Sequence, residues 1–215
     1  VAVHLYGHPA DMDALRAIAQ DRNLFLIEDA AEAHGAEHRG TRAGALSDLG
    51  AFSFYGNKIL TTGEGGMVTA RDDALAERVR RLKGQGMDPA RRYWFPMIGY
   101  NYRMTNVAAA IGLAQLEQAE WHIARRREVA AQYRRRLAGL PMIRTQGCKP
   151  WARPVHWMNN IVLGPDCRME RDALAARLAE AGIETRPIFP PLHHMPMYRG
   201  VAPAGGFPVA DGIAA

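Results

Sequence analysis

The apolar positions of this chain fall into two rhythms. Over Pro9 to Gln20, Met12, Leu15, Ile18 and Ala19 recur at helical spacing behind acids in the first turn, which predicts an amphipathic helix. The helix feeds a continuous apolar run, Leu24 to Ile27, closed by Glu28 and Asp29. This is the pattern of a buried parallel strand with Asp29 at its carboxyl end. Leu49 to Tyr55 predicts a second strand and Gly66 to Ala70 a short third one. The turn between them holds Gly63, Gly65 and Gly66, so a hairpin-like return is expected.

Asp72 is placed to cap a helix that buries Leu75, Val79 and Leu82. Thr105 is placed to cap another, running with a break to about Leu140. Its first part, 107–116, is rich in alanine and apolar residues, as a buried helix would be; in its second part Ile123, Val129, Ala130, Tyr133 and Leu137 keep helical spacing. Beyond Trp157 the pattern gives a strand over 158–163, a helix over 170–181 closed by Gly182, and a strand over 183–186. The class is α/β, with a small α+β unit at the carboxyl end.

Composition narrows the function classes. With 215 residues and 48% hydrophobic content, the chain can bury a core the size of one large domain or one and a half. Its net charge of +5 is carried by arginine. The densest cluster, Arg125–Arg127 with Arg134–Arg136, lacks the interleaved aromatics of a single-strand binder and reads as a solvated helix face, so no nucleic-acid partner is expected. Cys148 and Cys167 make neither a disulfide framework nor a zinc pattern. His34 and His38 have the spacing of helical metal ligands, but Gly35 and Gly40 argue against a helix and no third ligand is evident; no metal is expected. No apolar run reaches membrane-spanning length, which leaves the cytoplasm as the expected location.

The chemistry centres on Lys58. Of the 27 basic residues only Lys58, Lys83 and Lys149 are lysines, so a lysine between a strand and a glycine turn points to a need for an amine. An amine can lose its proton near neutral pH when desolvated and condense with a carbonyl. Asp29 ends the preceding strand, and in open α/β sheets ligands sit outside such ends. Lysine for an aldehyde and carboxylate for a pyridinium nitrogen are the pair that pyridoxal phosphate requires. Gly63-Glu-Gly-Gly66 is not followed by a helix or by Lys-Ser/Thr, so the nucleotide-binding motifs do not apply.

Three stretches carry a resemblance: Glu28-Asp-Ala-Ala-Glu-Ala-His-Gly-Ala36, Ser53-Phe-Tyr-Gly-Asn-Lys58 with Thr61-Thr-Gly-Glu-Gly-Gly66, and Gly99-Tyr-Asn-Tyr-Arg-Met-Thr105. In this order, with a later Arg186-Pro-Ile-Phe-Pro-Pro-Leu-His-His-Met-Pro-Met-Tyr198, the chain resembles the DegT/DnrJ/EryC1/StrS family of pyridoxal-phosphate-dependent sugar aminotransferases, in its perosamine-synthase type. The resemblance implies the type I (aspartate aminotransferase-like) fold, with residues 1–118 part of the large cofactor-binding domain and 119–215 a small α+β domain. It implies Lys58 as the Schiff-base lysine and proton carrier, Asp29 at the pyridine nitrogen, Glu32 (glutamine in most relatives) at the ring's hydroxyl side or the substrate, and Ser53 at the cofactor phosphate. Asn101 would reach the cofactor of a neighbouring subunit, making a homodimer with shared sites; His193 and Tyr198 match positions near the sugar. Tyr55 stands where many relatives have histidine.

The implied reaction moves an amino group, from glutamate in most of the family, to a nucleotide-linked 4-keto-6-deoxy sugar for polysaccharide or O-antigen biosynthesis. Family members are longer, so a fragment cut at both ends is expected. Two rival readings stand beside this one. Sugar 3-dehydratases of the family replace the lysine by histidine, against which Lys58 counts. A catalytically incomplete chain serving as a binding or interaction module is the other, against which the retention of Lys58, Asp29, Ser53 and Asn101 counts.

Overall fold

A computed structural model describes residues 1–198 and 200–214. In chain order its elements are β1 (Ala2–Val3), α1 (Met12–Asp21), β2 (Ile27–Asp29), β3 (Glu37–His38), β4 (Thr41–Arg42), β5 (Leu49–Ser53), β6 (Gly66–Ala70), α2 (Asp73–Lys83), α3 (Asn106–Glu117), α4 (Ala119–Leu137), β7 (Ile143–Thr145), β8 (Ala152–Arg153), β9 (Ile161–Leu163), α5 (Arg171–Glu180) and α6 (Pro208–Ala214), with short 3-10 turns at Leu5–Gly7, Leu192–His194 and Pro196–Tyr198. Contacts divide the chain into two compact units. One is 1–133 with 147–159, the other 134–146 with 160–215. Among the described residues no helix is long and apolar enough to cross a membrane.

The first unit is built on a four-stranded sheet in the order β1-β2-β5-β6. The first three strands are parallel, with Val3 opposite Asp29 and Asp29 opposite Ala51; β6 returns antiparallel, with Ser53 opposite Gly66, as the glycine turn predicts. Because side chains alternate across a strand, Asp29, Ala51 and Ser53 share one face and Glu28 takes the other. On the Glu28 side, α1 lays fully buried Met12 against Ala2 and Leu46, with Ala10, Leu15 and Leu26 at the edge. Burying a side chain of that size contributes about 2 kcal/mol. Asp11, Asp72 and Thr105 cap α1, α2 and α3, each accepting the backbone N–H three residues on. Only the end of the 24–29 run becomes strand: Leu26 instead exchanges hydrogen bonds with Asp48, and Phe25 is exposed.

The second core gathers Ala30, Ala33, Ala36, Ala43, Ile59, Leu60, Ile123, Val155 and Trp157. Ile123 of α4 lies so close to Gly35 (φ +76°) that a Cβ there would meet its Cδ1 at 2.3 Å, which fixes glycine on both conformational and steric grounds.

Three expectations are corrected. The helix over 107–116 is not buried: Val107, Ile111, Leu113 and Leu116 are all exposed, because only the Gly112–Gln115 side of α3 meets the 61–62 turn and, among the described residues, nothing covers its other apolar side chains. Arg126 and Arg127 are not a solvated face. Arg126 donates to the Trp157 carbonyl and Arg127 to those of Pro154 and Gly35, clamping the 154–157 segment to α4. In the second unit no strand forms over 183–186, which is exposed; β9 pairs instead with β7, a strand the pattern did not signal.

Candidate active site

Asp29 is the last residue of β2, and its Oδ1 accepts the backbone N–H of Ala31 at 3.1 Å. The loop that follows turns tightly, Ala33 N–H bonding to Ala30 and Ala36 N–H to Ala33, and it keeps its alanines in the core. Glu32 and His34, at alternating positions, are thereby held buried beside the strand ends. Asp29 and Ser53 border a cavity of about 340 Å³ together with Val1, Ile27, Ala31 and Ala51, where small side chains leave a flat molecule room against the sheet.

Lys58 follows β5 in a turn closed by its N–H to the Tyr55 carbonyl. Its Nζ lies 3.8 Å from Glu32 Oε1, with both side chains about nine-tenths buried, and 4.1 Å from the centroid of the Trp157 ring. The other Glu32 oxygen accepts the Tyr6 N–H at 2.6 Å. Tyr6 can present that N–H because it sits in the left-handed region (φ 53°), and Gly7 beside it (φ +83°) lets Val155 and the Glu32 carbonyl approach to 2.8 and 3.0 Å of where a Cβ would be. Burial pushes the Glu32 carboxyl above the usual carboxylate range. The Tyr6 N–H and the Lys58 ammonium oppose the rise, and the charge of Asp29 adds to it.

An amine, two carboxylates and a sheet end thus converge as the sequence motifs require. The model of the DegT/DnrJ/EryC1/StrS aminotransferase family matches residues 1–215. The chain belongs to that family. Over 93% of its length it is 51% identical to the GDP-perosamine synthase of Caulobacter vibrioides, covering 54% of that protein. Among solved structures it is similar to Streptomyces venezuelae DesV (TM-score 0.88, 41% identity, 99% of this chain, 56% of that one) and to DesI, solved in the presence of its TDP-sugar product (TM-score 0.88, 34%, 99% and 54%). The fold is the type I pyridoxal-phosphate transferase fold. The chain spans about half the length of the curated relatives it matches.

Within this family framework the other site residues separate. Ser53 ends β5, and its Oγ accepts the Tyr55 N–H at 3.3 Å while its own hydroxyl hydrogen stays available; Tyr55 is exposed. Asn101 is exposed, bridges to Gly84, and is not among the groups gathered around Lys58. His193 and Tyr198 belong to the second unit, where His193 and His194 each place Nε2 within 2.8 Å of Asp211 Oδ1. Among the described residues these three, rather than His34 and His38, are the His/acid group close enough to share a cation.

In the sequence His34 stands out only by its four-residue spacing from His38 and as a polar residue of the loop. Its ring packs on Phe52 and Phe54, and neither nitrogen has a hydrogen-bond partner. Burial, helped by the Lys58 charge, pushes its pKa down to about 4; the Ser53 backbone offsets a part without reaching hydrogen-bond geometry. The imidazole is therefore neutral at pH 7. Trp157 and Tyr6 carried no signal, since only the fold brings Trp157 to Lys58 and Tyr6 to Glu32.

A more voluminous concavity, about 740 Å³, lies elsewhere, between the end of α1, 23–26, 45–48 and Arg71. The acid that lines it, Asp48, is already committed to Arg71 and the Leu26 N–H. Convergent chemistry, not volume, makes the surroundings of Lys58 the candidate site.

Proposed function

We propose that the protein containing this chain is a pyridoxal-phosphate-dependent aminotransferase that transfers an amino group, from glutamate, to a nucleotide-linked 4-keto-6-deoxy sugar of the perosamine type. The observation that carries this reading is the Lys58 amine held 3.8 Å from Glu32, at the strand ends where Asp29 and Ser53 share a face. The GDP-sugar and TDP-sugar relatives support a nucleotide-sugar substrate and leave the nucleotide to experiment.

The residues present fit the cofactor. Its aldehyde needs an amine, its pyridine nitrogen an anion, its phosphate hydroxyl donors, and its ring a flat bed; Lys58, Asp29, Ser53 and the Ala31–Ala51 wall supply them, and the unpartnered neutral imidazole of His34 lies buried beside them. When bound, pyridoxal phosphate supplies an electrophilic carbonyl and an electron sink for a carbon that loses a proton.

Lys58 Nζ would hold the cofactor through that carbonyl and, when free, would supply the amine that takes up and returns a proton. Asp29, at the end of β2, would be the carboxylate that faces the ring nitrogen and keeps a proton on it. Glu32, with its raised pKa, can donate a hydrogen bond to an oxygen when protonated and balance the Lys58 ammonium when ionised.

In the same reading residues 1–118 belong to the large domain and 119–215 to the small one. A homodimer brings Asn101 to the neighbouring site, and the exposed apolar side chains of α3, Val107, Ile111, Leu113 and Leu116, support such an assembly. His193 and Tyr198 are assigned to binding the sugar, and the product serves polysaccharide or O-antigen synthesis.

The test is to mix the protein with pyridoxal phosphate, reduce with borohydride and map the modified peptide. A label on Lys58 is expected. Labelling elsewhere, or none on the intact protein, rejects the reading.

A further inference from the structure

A lysine that is bonded to a cofactor for part of a reaction and free for the rest needs a place to stand when free. The structure holds Lys58 in such a place. Its Nζ rests 4.1 Å above the Trp157 ring on one side and 3.8 Å from Glu32 on another, and its side chain is 12% exposed. The two contacts differ in kind. A carboxylate at hydrogen-bond distance would bind the ammonium proton, but 3.8 Å is beyond that distance. An indole face attracts a cation and offers no atom that accepts its proton.

Trp157 is itself fixed on several sides. Its Nε1–H donates to the Asn57 carbonyl at 2.9 Å, tying the ring to the residue next to Lys58; its backbone N–H donates to the Tyr6 carbonyl and its own carbonyl accepts from Arg126. The ring stacks on Tyr6, centroids 6.1 Å apart and planes 14° from parallel. Tyr6 and His156, one on each crossing segment, both adopt φ of 53°, a conformation that non-glycine residues keep only where the surroundings over-determine it. The crossing of 5–7 with 155–157 therefore aims one aromatic face at one amine and supplies, through Tyr6 N–H, the bond that orients Glu32.

We propose that Trp157 is the positioning residue for Lys58. Its indole face holds the free ammonium beside the reacting plane with the proton retained and unclaimed by any hydrogen-bond acceptor, ready to be delivered to carbon. This rests on the aminotransferase reading, and it adds a residue whose contribution passes through Lys58.

The test uses the intact protein containing lysine labelled with ¹³C at the ε carbon. In the cofactor-free protein, the Lys58 ε-CH₂ proton signal, identified by its absence in Lys58→Arg, is expected upfield of those of Lys83 and Lys149, because it lies over an aromatic ring. Trp157→Phe keeps a smaller displacement and Trp157→Leu abolishes it. In the cofactor-loaded protein Trp157→Leu lowers kcat about tenfold, within the range of a desolvated cation–π contact, while the KM of the amino donor stays within about twofold; Trp157→Phe recovers most of the loss.

An unshifted Lys58 signal in the unsubstituted protein overturns the proposal, and needs no variant to fold. So does a Trp157→Phe protein as slow as Trp157→Leu, or a KM that rises as kcat falls. Borohydride labelling separates the failures: no label on Lys58 rejects both the aminotransferase reading and this role, whereas a label on Lys58 without the upfield shift rejects the positioning role alone.

Discussion

Glu28 and Glu32 are both buried glutamates, one turn of loop apart, yet their surroundings drive them in opposite directions. Burial alone would raise Glu28, but four donors outweigh it: His4 Nε2, the backbone N–H groups of Gly44 and Leu46, and the Ser47 hydroxyl, all within 3.0 Å. Since His4 Nδ1 accepts the Ala10 N–H, the ring turns Nε2 to Glu28 as its donor. The Glu28 carboxyl is held below the usual range. Glu32 has one backbone donor and an ammonium too distant for a hydrogen bond, and it is held above. A carboxylate whose lone pairs are filled by fixed donors is a structural tie between strand, helix and loop; one left short of donors beside an amine is a group with chemistry to do.

The sharpest break of this comparison is at the amine itself. Lys58→Ala should lower turnover by at least about 10³-fold, as removal of both the carbonyl-bonding group and the general base requires, and should remove the borohydride-fixed label while the unfolding transition stays cooperative. Loss of cooperativity would instead make Lys58 structural.

Next comes the tie. Glu28→Leu leaves three donors, His4 Nε2 and the Gly44 and Leu46 N–H groups, buried without an acceptor, while the Ser47 hydroxyl keeps the Leu49 carbonyl, and should cost about 3–5 kcal/mol in urea unfolding, enough to threaten the fold. A loss under about 1 kcal/mol would show that the network does not hold the sheet to the 43–47 loop.

His34 gives a pH test of its own. Its folded pKa, about 4, lies below the ordinary 6.5, so its contribution is fully present above pH 6.5 and is lost as pH falls through 4. A shift of that size corresponds to about 3 kcal/mol. His34→Phe should therefore flatten the stability profile between pH 6.5 and 4, and an unchanged acid limb would place the titrating group elsewhere.

The smallest expected change in stability is at Glu32. A carboxyl raised by the fold stabilises it most below its ordinary pKa of 4.5, and that contribution fades as pH rises through the raised value; for Glu28 the sign is reversed, stability being present above 4.5 and lost as pH falls. Glu32→Gln should change stability at pH 7 by no more than about 1 kcal/mol, since it removes a desolvated charge and also the partner of Lys58. Relative to this variant, the unsubstituted protein should lose stability as pH rises from 4 to 7. The opposite slope would mean that Glu32 is ionised and stabilised like Glu28.

Much of this contrast was legible in one dimension. Asp29 at a strand end, the glycine return after β5, the caps at Asp72 and Thr105, and the scarcity of lysine around Lys58 are local facts, set by propensity, alternation and turn chemistry. Glu28 was not read as a tie, because its donors come from His4 and the 44–47 loop, far apart in sequence. Trp157 was invisible as a partner of Lys58 for the same reason: its hydrogen bond to Asn57 spans 100 residues. The exposure of α3 and the absence of a strand over 183–186 show the converse limit, since an apolar pattern says what would be buried if something packs there and cannot name what does.

The sequence by itself thus determined the alternation of strands and helices, the placement of an acid at one strand end and an amine after the next, and through its ordered motifs the family. Only the tertiary structure decided which of two neighbouring glutamates is tied and which is poised, which histidine is left without partners, and which aromatic face meets the amine. The pKa and reactivity of a buried group depend on donors, charges and solvent within a few ångströms, and those neighbours are assembled by folding from segments that the chain keeps far apart.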